Sequence, residues 1–320
     1  MKLSILDQSP VIATLGARRA VEETLALARR ADELGYHRYW LAEHHAIAAL
    51  ADPCPEVLLA RLGAETRRMR IGSGGVLLPY YSAFRTAESF RMLEALYPGR
   101  IDLGVGRAPG GDPRTAQAVA GGSFPDASRF PQQVLELKGL LQGTHRPVRL
   151  QPEVDTAPEI WLLGSSDYSG ALAAELGLPF AFAHFINPRG GDLVTRLYRE
   201  NFKGSQPHAI VCTFAIVAES DEEAERLAAP IDLRRLHMAL NIDSAVPTYE
   251  EAARHRYSDE ERRYVLSQRA RAVIGGVAKA KRELRELVER YGADELMVLT
   301  ITGDYGSRGR SYELLIEAFE

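Results

Sequence analysis

The chain has 320 residues, 46% of them hydrophobic, and 39 Lys and Arg against 43 Asp and Glu give a formal net charge of -4. That balance offers no electrostatic basis for gripping nucleic acid or an anionic membrane. No stretch approaches the ~18 uninterrupted apolar residues that a spanning helix needs.

The first apolar run, residues 3–6, is too short for the core of a signal peptide and reads as a strand. Seven more short apolar runs follow near 38–42, 71–74, 101–105, 160–163, 180–183, 210–217 and 296–301. Several are apolar almost throughout, as in Ile160-Trp161-Leu162-Leu163, the pattern of strands covered on both faces of a parallel sheet. Between the first two runs, Val21, Leu25, Ala28 and Ala31 recur at helical spacing, and Gly35 stands where a C-terminal cap would end the helix. Segments 55–66, 84–96, 132–142, 168–177, 191–201, 220–228, 277–291 and 311–319 supply further helices.

Strand-helix alternation repeated eight times predicts an α/β fold of the (β/α)8 TIM-barrel type, one domain over 1–320, rather than an open doubly wound sheet. The phosphate-binding glycine fingerprint of the open sheet is missing after the first strand. Two stretches break the rhythm. Residues 106–131 are rich in Gly, Pro and Asp, and residues 235–275 form an insertion between strands 7 and 8, read as a functional loop or mobile lid. The two cysteines, Cys54 and Cys212, match no metal-ligand spacing, and so low a count fits a reducing cytoplasm.

In such a barrel the active site lies at the C-terminal strand ends. There the sequence places Asp7-Gln8-Ser9, Glu43-His44-His45, Gly72-Ser73-Gly74-Gly75, Gly104-Val105-Gly106-Arg107, Gly164-Ser165-Ser166-Asp167 and His184-Phe185-Ile186-Asn187. Six polar or glycine-rich clusters at one end predict a lined pocket. Gly164-Ser165-Ser166, between a buried strand and a helix starting near Tyr168 and Ser169, offers amides and hydroxyls to a phosphate. Ser166 or Asp167 capping that helix explains the same residues equally well, and Arg107 at the neighbouring strand end favours the phosphate. Gly74-Gly75 signals either close approach of a flat ligand or a bulge at the rim. His44 and His45 point to opposite sides of an extended chain, so one of them faces the pocket as a candidate acid/base. No histidine pair at helical spacing and no Cys/His cluster argues for a metal.

Taken in order, Trp40-Leu41-Ala42-Glu43-His44-His45, Arg70 to Pro79, Tyr97 to Gly104 with Arg107, Leu163-Gly164-Ser165-Ser166 and Gly177-Leu178-Pro179 resemble the bacterial luciferase-like flavin-dependent monooxygenases over nearly the whole chain. The resemblance implies FMN as cofactor, supplied reduced by a separate NAD(P)H:flavin reductase, with O2 and a small, largely apolar organic substrate. It implies His44 as the catalytic acid/base. It also implies a non-prolyl cis peptide at Gly74-Gly75 beside the flavin, and Arg107, Ser166, Ser169 and the amide of Ser165, with Gly164, around the phosphate. Arg129 falls near a second phosphate arginine, across a loop of different length. Relatives pair through helices here near 55–66 and 84–96, so a homodimer is expected. The light-emitting members carry cysteine where this chain has Gly106, which argues against light emission. The alternatives are a deazaflavin- or flavin-dependent dehydrogenase without oxygen insertion, and a non-catalytic flavin-binding protein on the same barrel.

Overall fold

The structure, a computed structural model, describes residues 1–107, 112–144 and 148–319. Residues 108–111, within the glycine-rich stretch singled out above, lie outside them. The described residues form nine strands: β1 (Lys2–Asp7), β2 (Arg38–Leu41), β3 (Arg70–Leu77), β4 (Ile101–Gly106), β5 (Glu159–Gly164), β6 (Phe180–Ala183), β7 (Ala209–Ala218), β8 (Ala272–Gly276) and β9 (Glu295–Leu299). All pairings between them are parallel, and β1–β2–β3–β4–β5–β6–β7–β9 closes on itself through β6–β7 and β1–β9. Eight strands therefore make the expected (β/α)8 barrel. The ninth, β8, pairs only with the C-terminal half of β7, Phe214 to Ala218, beyond the barrel proper.

Among the described residues twelve α-helices surround the sheet: α1 (Gly16–Leu34), α2 (Pro55–Glu65), α3 (Ala83–Leu96), α4 (Pro113–Val119), α5 (Phe130–Leu141), α6 (Asp167–Leu176), α7 (Gly191–Glu200), α8 (Asp221–Ala239), α9 (Tyr249–Arg254), α10 (Asp259–Arg269), α11 (Val277–Tyr291) and α12 (Tyr305–Phe319). Helix α1 ends as expected on a left-handed Gly35, φ 85°. Its buried face is Ala20, Thr24, Leu27, Ala28 and Ala31, rotated from the expected one because Val21 and Leu25 are only half-buried.

Side-chain alternation sorts the core into two layers. On β7, Ala209, Val211, Ala215 and Val217 join the layer beneath the helices, while Ile210, Cys212, Phe214 and Ile216 face the barrel interior. The N-terminal end of that interior is filled by charge. Arg38 reaches Asp102 at 2.7 Å and Glu295 at 2.8 Å, Trp40 Nε1 donates to Asp102 at 2.9 Å, and the Arg38 guanidinium lies 4.6 Å from the Trp161 ring centre. A buried network this well paired is tolerable because each charge keeps hydrogen-bonding partners. Free space is left at the other end.

Candidate functional site

A cavity of about 410 Å³ occupies the C-terminal mouth of the barrel. Its walls include Leu6 of β1 and Gln8 just after it, Trp40 to His44 without Leu41, Gly74, Gly75 and Leu77 of β3, Gly106 and Arg107, Leu163 to Ser166 with Ser169, Phe185, Ile186, Cys212 and Met297. His44, Gly74, Gly75, Arg107, Gly164, Ser165, Ser166 and Ser169 thus meet around one space. Arg129 stands apart: it is exposed in a short 3-10 turn leading into α5 and does not line the cavity. His184 is also outside the wall, because its Nδ1 pairs with the Tyr291 hydroxyl at 2.8 Å.

The two histidines after β2 part company. His45 Nε2 lies 2.6 Å from Glu43 Oε1, with its ring edge-on to Tyr80. His44 faces the cavity, and its buried Nδ1 has no hydrogen-bond partner among the described residues. Burial pushes its imidazole down to about 4, against the opposing pull of the Ala42 carbonyl, so the ring is neutral at pH 7. Behind it the Asp52 carbonyl accepts the His44 amide at 3.1 Å. The Asp52 carboxyl, 2% exposed, is pushed up to about 7 by burial, with Asp7 adding to the shift.

Glu43 is a residue whose role was not read from sequence, although it adjoins the histidines. It is buried, receives the Leu77 amide at 2.8 Å and the Tyr81 hydroxyl at 2.6 Å, and so ties the ends of β2 and β3 together. Between those anchors the Gly74-Gly75 peptide is cis, and the register against β4 shifts between Ser73 and Val76. The absent side chains there face protein more than ligand. A Cβ on Gly74 would come within 2.7 Å of Leu6, and one on Gly75 within 2.7 Å of the Gly104 carbonyl.

Ser166 occupies the N-cap of α6 without capping it; Asp167 instead accepts the Tyr168 amide at 2.8 Å. The Ser166 and Ser169 hydroxyls lie 3.4 Å apart, and the Arg107 guanidinium is stacked 4.3 Å from the Tyr168 ring centre. A helix start without a side-chain cap at its N-cap residue, two hydroxyls and an arginine together have the chemistry to receive an anion.

The excursion at 235–275 is ordered around these loops. It contains the end of α8, then α9, α10 and most of β8. The Ala48 amide donates to Asp243 at 3.0 Å, Val246 exchanges backbone bonds with Val11 and Ala13 at 2.8 Å each, and the Val11 amide donates to Ala49 at 2.7 Å. Among the described residues no group of three His, Cys, Asp or Glu could hold a metal ion, and no helix is long and apolar enough to cross a membrane.

Residues 1–295 match the family described as luciferase-like monooxygenase. The chain belongs to the luciferase-like monooxygenase family. A luciferase-like monooxygenase of Escherichia coli strain K12 is 38% identical over 99% of this chain and 96% of its own length. The N-acetyl-S-alkylcysteine monooxygenase of Bacillus subtilis strain 168 is 35% identical over 99% of this chain and 98% of its own. The crystal structure of apo-MsnO8 superposes with a TM-score of 0.94 at 37% identity, covering 99% of this chain and 98% of that one. The fold alone is shared with the oxygenating constituent of 3,6-diketocamphane monooxygenase from Pseudomonas putida in complex with FMN (TM-score 0.73, 18% identity, 99% of this chain and 97% of that one). It is shared likewise with an F420-dependent secondary alcohol dehydrogenase (TM-score 0.69, 14% identity, 100% and 99%). Like its named relatives, this luciferase-like protein is an enzyme of the monooxygenase class.

Proposed function

We propose that the enzyme binds FMN in this cavity, receives it reduced from a separate NAD(P)H:flavin reductase, and uses O2 to oxygenate a small, largely apolar organic substrate in the cytoplasm. The uncapped start of α6 carries the reading. Ser165, Ser166 and Ser169 with Arg107 fit a terminal phosphate, while the glycines, Leu6 and Trp40 border space for a flat ring. The orphaned Nδ1 of His44 fits a polar partner on the ligand side. When bound, the reduced flavin would supply the oxygen chemistry. The chain's own part is to anchor the phosphate, to keep water from the reacting centre with apolar walls, and to hold or pass a proton at the His44 ring. Exposed Val57 on α2 and Met92 and Leu96 on α3 form an apolar surface suited to a homodimer.

The test is anaerobic loading with reduced FMN, or separately with a reduced deazaflavin, followed by rapid mixing with oxygenated buffer. Reappearance of oxidised FMN absorbance slower than that of free flavin supports the reading. Reoxidation at the free-flavin rate, with hydride transfer from the deazaflavin, favours the dehydrogenase chemistry of the F420 fold neighbour. Arg107→Met should weaken FMN at least tenfold and leave riboflavin unchanged, because it removes only a phosphate contact. His44→Ala should lower turnover about 100-fold, within the range of a lost acid/base.

A further inference from the structure

Helix α8 runs on through Pro230 to Ala239, and its last turns carry Arg234 and Arg235. Arg234 is 5% exposed and the Arg235 side chain 12%. Nε and Nη1 of Arg234 and Nη1 of Arg235 are buried without a hydrogen-bond partner among the described residues. The carboxylates that bear on them are engaged elsewhere. Asp232, 4.0 Å from Arg235 Nη1, is held by Arg269 at 2.5 Å, and Asp243 receives the Ala48 amide. A guanidinium taken out of water with so little compensation is costly, and an arriving anion would relieve that cost.

Arg235 and Arg271 stand just behind the cavity wall, each against a residue in or next to its lining rather than in the lining itself. The Arg235 guanidinium lies 4.7 Å from the ring centre of Phe214, which faces inward on β7 one step beyond the cavity-lining Cys212, toward the mouth. Arg271, at the start of β8, donates from Nη1 to the carbonyl of cavity-lining Ile186 at 3.0 Å and repels Arg235. Among the described residues Arg235 shares its one nearby carboxylate, Asp232, with Arg269, so positive charge is in excess beside the apolar wall of Phe185, Ile186 and Cys212.

We propose that Arg235, with Arg271, forms an anion receptor on the β6–β7 side of the mouth that takes the carboxylate of an organic substrate whose apolar body fills the cavity. The assignment rests on the reading of this cavity as the oxygenation site. It makes the substrate an amphiphilic organic acid rather than a wholly apolar molecule.

Calorimetric titration of the enzyme, with FMN added, by octanoate and by its uncharged counterpart octanamide tests it. Octanoate should bind at least tenfold tighter, a 1.4 kcal/mol preference. Arg235→Met and Arg271→Met should each narrow the preference below threefold, and Arg235→Lys should keep it. Circular dichroism checks folding, and the more exposed Arg271 keeps the test available if Arg235→Met misfolds. Equal binding of the two probes, or a preference unchanged in both Met variants, overturns the proposal. So does displacement of octanoate by inorganic phosphate together with weaker FMN but unchanged riboflavin binding in Arg271→Met, which assigns the anion to the cofactor's phosphate. Since the readout is binding, failure of oxygen transfer in the rapid-mixing experiment leaves this result standing.

Discussion

The carboxylate of Glu43 accepts the backbone amide of Leu77 at 2.8 Å, fastening the strand that presents His44 to the strand that carries the cis Gly74-Gly75 peptide. The same carboxylate meets the Tyr81 hydroxyl and His45 at 2.6 Å each. Removing it leaves buried donors unsatisfied, at about 1–3 kcal/mol per group. Glu43→Ala should therefore lower the unfolding free energy by about 3 kcal/mol in urea titration. Glu43→Gln, which keeps an acceptor, should lose less than half of that. Equal losses would show that shape rather than hydrogen bonding matters at this position.

Gly164 and Gly106 make a contrasting pair. A Cβ on Gly164 would collide with Cβ and Oγ of Ser169, whereas one on Gly106 meets only Leu77, at 4.0 Å. Gly164→Ala should shift the first turn of α6 and weaken FMN at least tenfold in a fluorescence titration. Gly106→Ala should fold with a melting temperature within a few degrees of the parent and weaken FMN far less.

Acid should destabilise the fold well above the carboxylate range. Burial holds His37, His44 and His184 down at about 4 in the folded chain, against 6.5 when exposed. The unfolded chain thus takes up three protons that the folded one refuses, and stability falls as pH drops from 6.5 toward 4. Asp52 acts in the opposite direction. Its folded value of about 7 exceeds 3.8, so it contributes stability below 3.8 that is lost as pH rises through 7. Three groups against one leave a net loss, on the order of a few kcal/mol across the window. Chemical denaturation at pH 6.5 and 4.5 measures it, and His184→Gln should flatten the slope.

The apolar surface of α2 and α3 gives a fourth expectation. Met92→Glu combined with Leu96→Glu places charge on side chains that are 52% and 53% exposed, so the monomer fold should tolerate both. Sedimentation should then show a monomer where the parent sediments as a dimer. A parent that is already monomeric at micromolar concentration overturns the dimer.

Most of the barrel was legible because its strands are continuous apolar runs and its helices have a regular period. Strand β8 was not, since Ala272-Val273-Ile274-Gly275-Gly276 is short, three of its five residues are glycine or alanine, and it adjoins a charged segment. Helices α9 and α10 were missed although each opens with a capping box, Thr248 with Glu251 and Ser258 with Glu261. Helix α8 was cut short before Pro230, through which it in fact continues. Each strand-end cluster supplies part of the cavity wall, but Cys212 and Met297 reach it by alternation along strands whose inward face no motif identifies. The buried arginines of α8 and the Glu43 contacts were invisible for a related reason. A charged residue reads as surface until packing shows what covers it.

The bonds from Asp243 to Ala48 and from Val246 to Val11 and Ala13 also set how the mouth can move. The excursion after α8 and the loop that follows His44 are riveted to the same short length of chain, so neither can swing without straining the other. A substrate that displaces the excursion would be felt as torque on the His44 loop. Entry at the mouth and the setting of the His44 ring are thereby geared to one another.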